Sequence, residues 1–209
     1  MKGEALAGLA VSHIALFGVG YMVADKRPVD TVVKHTGFFT IETTKLLATT
    51  VESLRDENRL LVFSYKGNAR VEAERDGFWF LNGRQELNVP AVVSYYLDLS
   101  DLSLADVNYS EAAKLVAVRL PAVTLGDIAF QPENASTVNG GVLTFGEGTV
   151  EALRKLNYKK ARRAMIAQAQ QPGLLNEARK RAKLNVESYF EIPLRIAGRP
   201  DVKVVATFR

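Results

Sequence analysis

Residues Ala5 to Ala24 read ALAGLAVSHIALFGVGYMVA, twenty consecutive positions without a charge. A helix of that length is about 30 Å long, which matches the hydrocarbon core of a bilayer. Lys2 and Glu4 precede the run and Asp25, Lys26 and Arg27 follow it, so charge marks both borders. Tyr21 stands near one border, where an amphipathic ring prefers the interface. A retained transmembrane anchor is the reading that this length and these flanks favour. The alternatives are a cleaved signal peptide and a buried soluble helix. The best small-x-small site for cleavage, Gly18-Val19-Gly20, lies inside the apolar run and not after it. Uncharged runs of this length are rare in cores. Residues 1–27 therefore read as an anchor whose partner is the bilayer, met through residues 5–24. Residues 28–40, with Pro28, read as a linker, and 41–209 as one soluble domain. Lys26, Arg27 and Lys34 outnumber Lys2 by too little to fix the side on which that domain lies.

Within the soluble part, the residue inventory narrows the chemistry. There is no cysteine, which excludes disulfides, zinc-thiolate sites and thiol catalysis. The two histidines are His13, inside the uncharged run, and His35. A Ser-His-Asp relay or a histidine metal site would rest on His35 almost alone. No phosphate-cradling Gly-x-x-x-x-Gly-Lys-Ser/Thr loop occurs, and no Gly-x-Ser-x-Gly elbow. Asp98, Asp101 and Asp106 gather near one turn, but their spacing does not fit a twelve-residue calcium loop. These features predict no catalytic residue, no cofactor, no metal and no small-molecule substrate.

Periodicity gives the element order. Phe38 to Leu54 mixes Thr with apolar residues and predicts a strand or two, with a helix as the alternative. Arg59–Tyr65 and Ala69–Glu74 flank Lys66-Gly67-Asn68, a hairpin signal. Asp76-Gly77 and Asn82-Gly83 bracket a short strand at Phe78–Leu81. Strands follow at Leu87–Leu99, with Pro90 at an edge or bulge, at Leu115–Leu120 and onward from Gly126 to Gln131. Asn139-Gly140-Gly141 and Gly146-Glu147-Gly148 read as loop. From Thr149 the chain turns to helix formers, with Ala161, Met165, Ala169 and then Ala178, Ala182, Val186 at intervals of four. Pro172-Gly173 predicts a kink or two abutting helices. Tyr189–Ile196 and Val202–Phe208 read as a final strand pair about Gly198-Arg199-Pro200. The expected fold is α+β: a single N-terminal span, one domain of mostly antiparallel strands, a long kinked Ala-rich helical segment, and a C-terminal strand pair.

This order of features resembles a bacterial family of membrane-anchored proteins known as domain of unknown function 4230. The likeness runs through Ser53-Leu54 leading into Leu60-Leu61-Val62, and through Tyr96-Leu97-Asp98-Leu99-Ser100-Asp101-Leu102. It continues at Val118-Arg119-Leu120-Pro121-Ala122-Val123 and at Pro172-Gly173-Leu174-Leu175. Where the family pattern has a Gly before the Asp-Leu-Ser run, this chain has Leu97. The resemblance implies an envelope-associated, single-span protein and brings no catalytic residue; the expected location is the bacterial inner membrane.

Charge singles out one surface. Between Glu147 and Ser188 ten Lys or Arg face four Glu, a balance of +6, while the rest of the chain carries −2. One cluster is Arg154, Lys155, Lys159, Lys160, Arg162 and Arg163; the second is Arg179, Lys180, Arg181 and Lys183. At 100° per residue these wrap around much of a helix and do not share one face. A solvated helix surface and an anionic-lipid surface are both open readings. Nucleic acid is the weaker one, since only Tyr158 stands within the cluster to stack on a base. The expected function is a membrane-anchored, non-enzymatic structural or interaction protein that forms a homo-oligomer or scaffolds another envelope protein. The alternative is an anionic-lipid or nucleic-acid binding module.

Overall fold

A computed structural model describes residues 35–76, 82–141 and 146–209. The uncharged run Ala5–Ala24 and the strand expected at Phe78–Leu81 lie outside the described residues. Among those described, no helix is long and apolar enough to cross a membrane. The chain divides into two units, Met1–Phe38 and Phe39–Arg209, and the architecture that follows is that of the second.

Helix α1 (His35–Asp56) replaces the strands expected over Phe38–Leu54 and begins inside the span expected as linker. Its buried positions are Thr43, Leu47, Thr50, Val51 and Leu54, a spacing of three and four that only a helix brings to one side. The Thr residues that suggested strand fit because Thr49 and Thr50 donate their hydroxyls to the carbonyls of Lys45 and Leu46, at 3.2 and 2.9 Å. Asn58 then turns the chain with φ of 62°, a left-handed conformation that Asn tolerates.

Strands β1 (Arg59–Asp76) and β2 (Asn82–Asp98) form one long antiparallel hairpin. The hairpin expected at Lys66-Gly67-Asn68 is absent; β1 runs straight through, with Gly67 opposite Ala91. Gly67 instead leaves room for the Tyr65 ring to lie over it: a Cβ would sit 2.7 Å from that ring and push it aside. Strand β2 starts at Asn82, eight residues before Pro90, so that proline is neither at its start nor on an edge. On its far side β2 pairs with β5 (Val123–Phe130) over Ala91–Leu97 and with β6 (Ser136–Gly140) over Arg84–Asn88. Pro90 falls in the gap between the two. The neighbouring chain breaks into a short 3₁₀ turn at Pro132–Asn134 where Pro90 has no N–H to offer. Strand β6 also shows that Asn139 and Gly140, expected in a loop, belong to the sheet.

A second sheet has the order β3 (Val107–Ser110), β4 (Leu115–Leu120), β7 (Lys203–Phe208). The β3–β4 pair is antiparallel and β4–β7 is parallel. Two helices, α2 (Glu147–Ala169) and α3 (Pro172–Ile196), abut at the Pro172 interruption. Helix α3 corrects the last expectation. Tyr189–Ile196 is not a strand but its final two turns, and β7 pairs with β4 instead. The burial rhythm Ala178, Ala182, Val186, Phe190, Leu194 continues unbroken past Pro193, so packing outweighs the local cost of a proline near the helix end.

The core is one cluster shared by α1, both sheets and the inward rows of α2 and α3. Alanines Ala69, Ala161, Ala169, Ala178 and Ala182 are fully buried in it. The Ala-rich helix faces thus pack within the domain rather than against a sister helix. The α+β class with mostly antiparallel strands holds.

Candidate functional site

The ten basic residues sit on α2 and α3, and their surroundings follow from helical rows. Four residues turn a helix by about 400°, so residues spaced by four form a row that winds slowly around it. In α2 the inward row is Leu153, Asn157, Ala161, Met165 and Ala169. Tyr95 donates its hydroxyl to the Ala169 carbonyl at 2.8 Å, and burial raises its pKa above the ordinary value. Asn157 donates to the Gln85 carbonyl at 2.8 Å, and Gln85 in turn donates to Asn139 Oδ1 at 2.8 Å.

One flanking row of α2 faces β1. Lys160 donates to the Glu72 carbonyl at 2.6 Å and Gln168 to the Asn68 carbonyl at 3.3 Å. Both close acceptors on a strand that pairs with β2 alone, which blunts it as an edge. The other flanking row faces β5: Arg162 lies 3.8 Å from Asp127, and Tyr158 meets Phe130 edge-on at 5.5 Å. Arg154 and Lys155 reach Glu151 at 2.7 and 3.7 Å. Lys159 and Arg163, with Lys155, form the outward row. The first cluster is thereby dispersed over three sides of the helix.

In α3 the same geometry gives four rows. The inward row is buried. The outward row is Lys180, Leu184, Ser188, Ile192 and Ile196, and its apolar members are exposed by 50, 56 and 82 %. A helix apolar on two opposed rows has a second surface left to cover. Tyr189 stands beside that row, 41 % exposed. Reasoning from sequence missed this row because Tyr189–Ile196 read as a strand; the spacing of four from Leu184 to Ile196 was the signal present.

Of the second basic cluster, Arg181 pairs with Glu177 at 2.8 Å. Among the described residues Arg179, Lys180 and Lys183 enter no ion pair. These three line an open groove of about 420 Å³ between α3 and β7, floored by Leu184 and Phe208. A second open groove of similar volume lies between β5 and the C-terminal half of α2. It is lined by Arg59, Asp127, Arg162 and Gln170 among others.

The acidic residues serve structure. Asp98 accepts from the Ser100 hydroxyl and N–H, which hold its carboxyl below the ordinary range. Burial pushes Asp106 up, but bonds from the Ser103 hydroxyl and N–H and from Arg209 outweigh that and leave it lowered. Asp101 joins neither, so the three do not form one site; among the described residues no three acidic or histidine side chains converge on a metal position. Glu111 receives Lys114, Tyr109 and Arg199, and its carboxyl is lowered to about 2, with the Lys114 bond the largest cause. Arg199 also donates to Thr43 Oγ1 at 3.1 Å, tying α1 to the β3–β4 turn.

The chain belongs to the family described as Protein of unknown function (DUF4230), whose model matches residues 52–199. Comparison with curated proteins and with solved structures gives no match.

Proposed function

We propose that this chain is a membrane-anchored, non-enzymatic interaction protein of the bacterial envelope that self-associates through the outward row of α3. The observation that carries the reading is the exposure of Leu184, Ile192 and Ile196 opposite a row that is already buried. The uncharged run Ala5–Ala24, flanked by charge, supports anchoring in the bilayer. Hydrogen bonds hold the carboxyls of Asp98, Asp106 and Glu111 below the ordinary range, so none of these three is poised as a general acid near neutrality.

The absence of cysteine makes the test direct. Single Ile192→Cys and Ile196→Cys variants of the full chain are expected to form disulfide-linked dimers on mild oxidation in membranes. Asp127→Cys, on the exposed side of β5, is expected to stay monomeric. If neither α3 position crosslinks and detergent-extracted protein has a monomer's mass, self-association is wrong. A crosslinked band of another mass would point to a second envelope protein on the same row.

A further inference from the structure

We infer that the groove between α3 and β7 is a binding site for a phosphate ester carrying an apolar tail, the chemistry of an anionic phospholipid headgroup. The groove shares Lys180 and Leu184 with the outward row of α3, but the inference rests on its gathered charge and not on self-association. It uses the membrane reading only as a source for the ligand.

Ten cations were candidates from the sequence, and the structure separates them. Arg154, Lys155, Arg162 and Arg181 each face a carboxylate, and Lys160 holds a backbone carbonyl. Arg179, Lys180 and Lys183 make no ion pair among the described residues, although the Lys180 charge still bears on the Glu177 carboxylate, and those three meet in one groove. Arg179 donates to the Asn176 side-chain oxygen at 3.4 Å. Lys183 lies over the Phe208 ring, 5.8 Å from its centroid. Three cationic groups and an amide around one opening suit the several acceptor oxygens of a phosphate. The one acid of the groove, Glu187, accepts the Ala206 N–H at 2.9 Å, which fixes its carboxylate on the backbone of β7. Leu184 and Phe208 give the same groove an apolar floor, which an inorganic ion would leave unused and an acyl chain would cover. On the outward row of α2, Lys159 and Arg163 also make no ion pair among the described residues, but neither lines this groove.

The full chain, purified in neutral detergent, would be titrated with dihexanoyl phosphatidic acid, with its phosphatidylcholine analogue, with inorganic phosphate and with a single-stranded oligonucleotide. Two variants remove the same charge: Arg179→Gln with Lys180→Gln and Lys183→Gln in the groove, and Lys155→Gln with Lys159→Gln and Arg163→Gln outside it. Phosphatidic acid is expected to bind wild type and the α2 variant within about threefold of each other, and the groove variant more weakly by about tenfold or more. Should the groove triple lose helical circular dichroism, Lys183→Gln alone carries the same comparison. Equal losses in both triples, or none in either, would overturn the site in favour of diffuse attraction. A groove triple that loses oligonucleotide binding but keeps phosphatidic acid would overturn it too. Inorganic phosphate binding as tightly as the lipid would assign the site to a soluble phosphate; a preference of about tenfold for the lipid would assign it to a headgroup with its chain.

Discussion

Tyr95 shows how single polar atoms hold α2 on the sheet. Its ring packs at 5.3 Å from Phe63, and its hydroxyl satisfies the last inward carbonyl of α2, Ala169. Tyr95→Phe keeps the ring and leaves that carbonyl buried without a donor, so a loss of about 1–3 kcal/mol is expected in urea unfolding of the full chain in detergent. The Arg199–Glu111 pair is a second case, with a pH signature. The Glu111 carboxyl titrates near 2 when folded against an ordinary 4.5. A depressed folded value means the contribution is fully present above about pH 4.5 and disappears as pH falls toward 2. Thermal unfolding of wild type is therefore expected to lose stability relative to Glu111→Gln across that window. Equal curves would show that the Glu111 carboxylate gains nothing from Lys114, Tyr109 and Arg199 together. Neither residue advertised its role in the sequence, because their partners lie far along the chain. Arg199 was legible only as part of a turn.

Rows, rather than residues, explain what α2 and α3 do. Phe190 and Ile192 stand two apart on α3 and differ completely in burial, 0 against 56 % exposed. Phe190→Ala is expected to cost about 3–5 kcal/mol by removing core volume. Ile192→Ala should change the stability of the isolated chain by less than about 0.5 kcal/mol. A large loss at both positions would mean that the outward row is already covered. The inward rhythm of four was readable in Ala161–Ala169 and Ala178–Val186. Strand β4 was readable too, because Leu115–Leu120 is apolar throughout and stopped by Pro121. What misled were local signals overridden by long-range packing: Thr in α1 and Lys-Gly-Asn in β1. The Lys-Gly-Asn stretch in particular is held extended by its pairing with Val92, Ala91 and Pro90, which no local rule can foresee. The same limit hid the groove, since Phe208 and Lys183 come together only once α3 is known to lie over β7.

At the scale of the whole molecule, the account joins an uncharged N-terminal run to an α+β domain whose spare surfaces are an apolar row and a basic groove on one helix. Composition made part of this legible: the chain has no cysteine and two histidines, and its excess of positive charge is confined to the two helices. It could not separate charges bound to neighbours from charges left free, because that depends on which side of each helix the sheets occupy. The two surfaces of α3 matter most if the domain is held at a bilayer, where a weak contact is repeated at high local concentration. Anchoring is therefore the central claim. It is tested most directly by membrane fractionation with intact-mass analysis of the expressed protein, with and without residues 1–27. The account predicts that the full chain stays in the membrane fraction after carbonate extraction at its uncleaved mass, while the truncated chain is released. A mature protein that begins near Tyr21 or Asp25 and is recovered without membranes would contradict it.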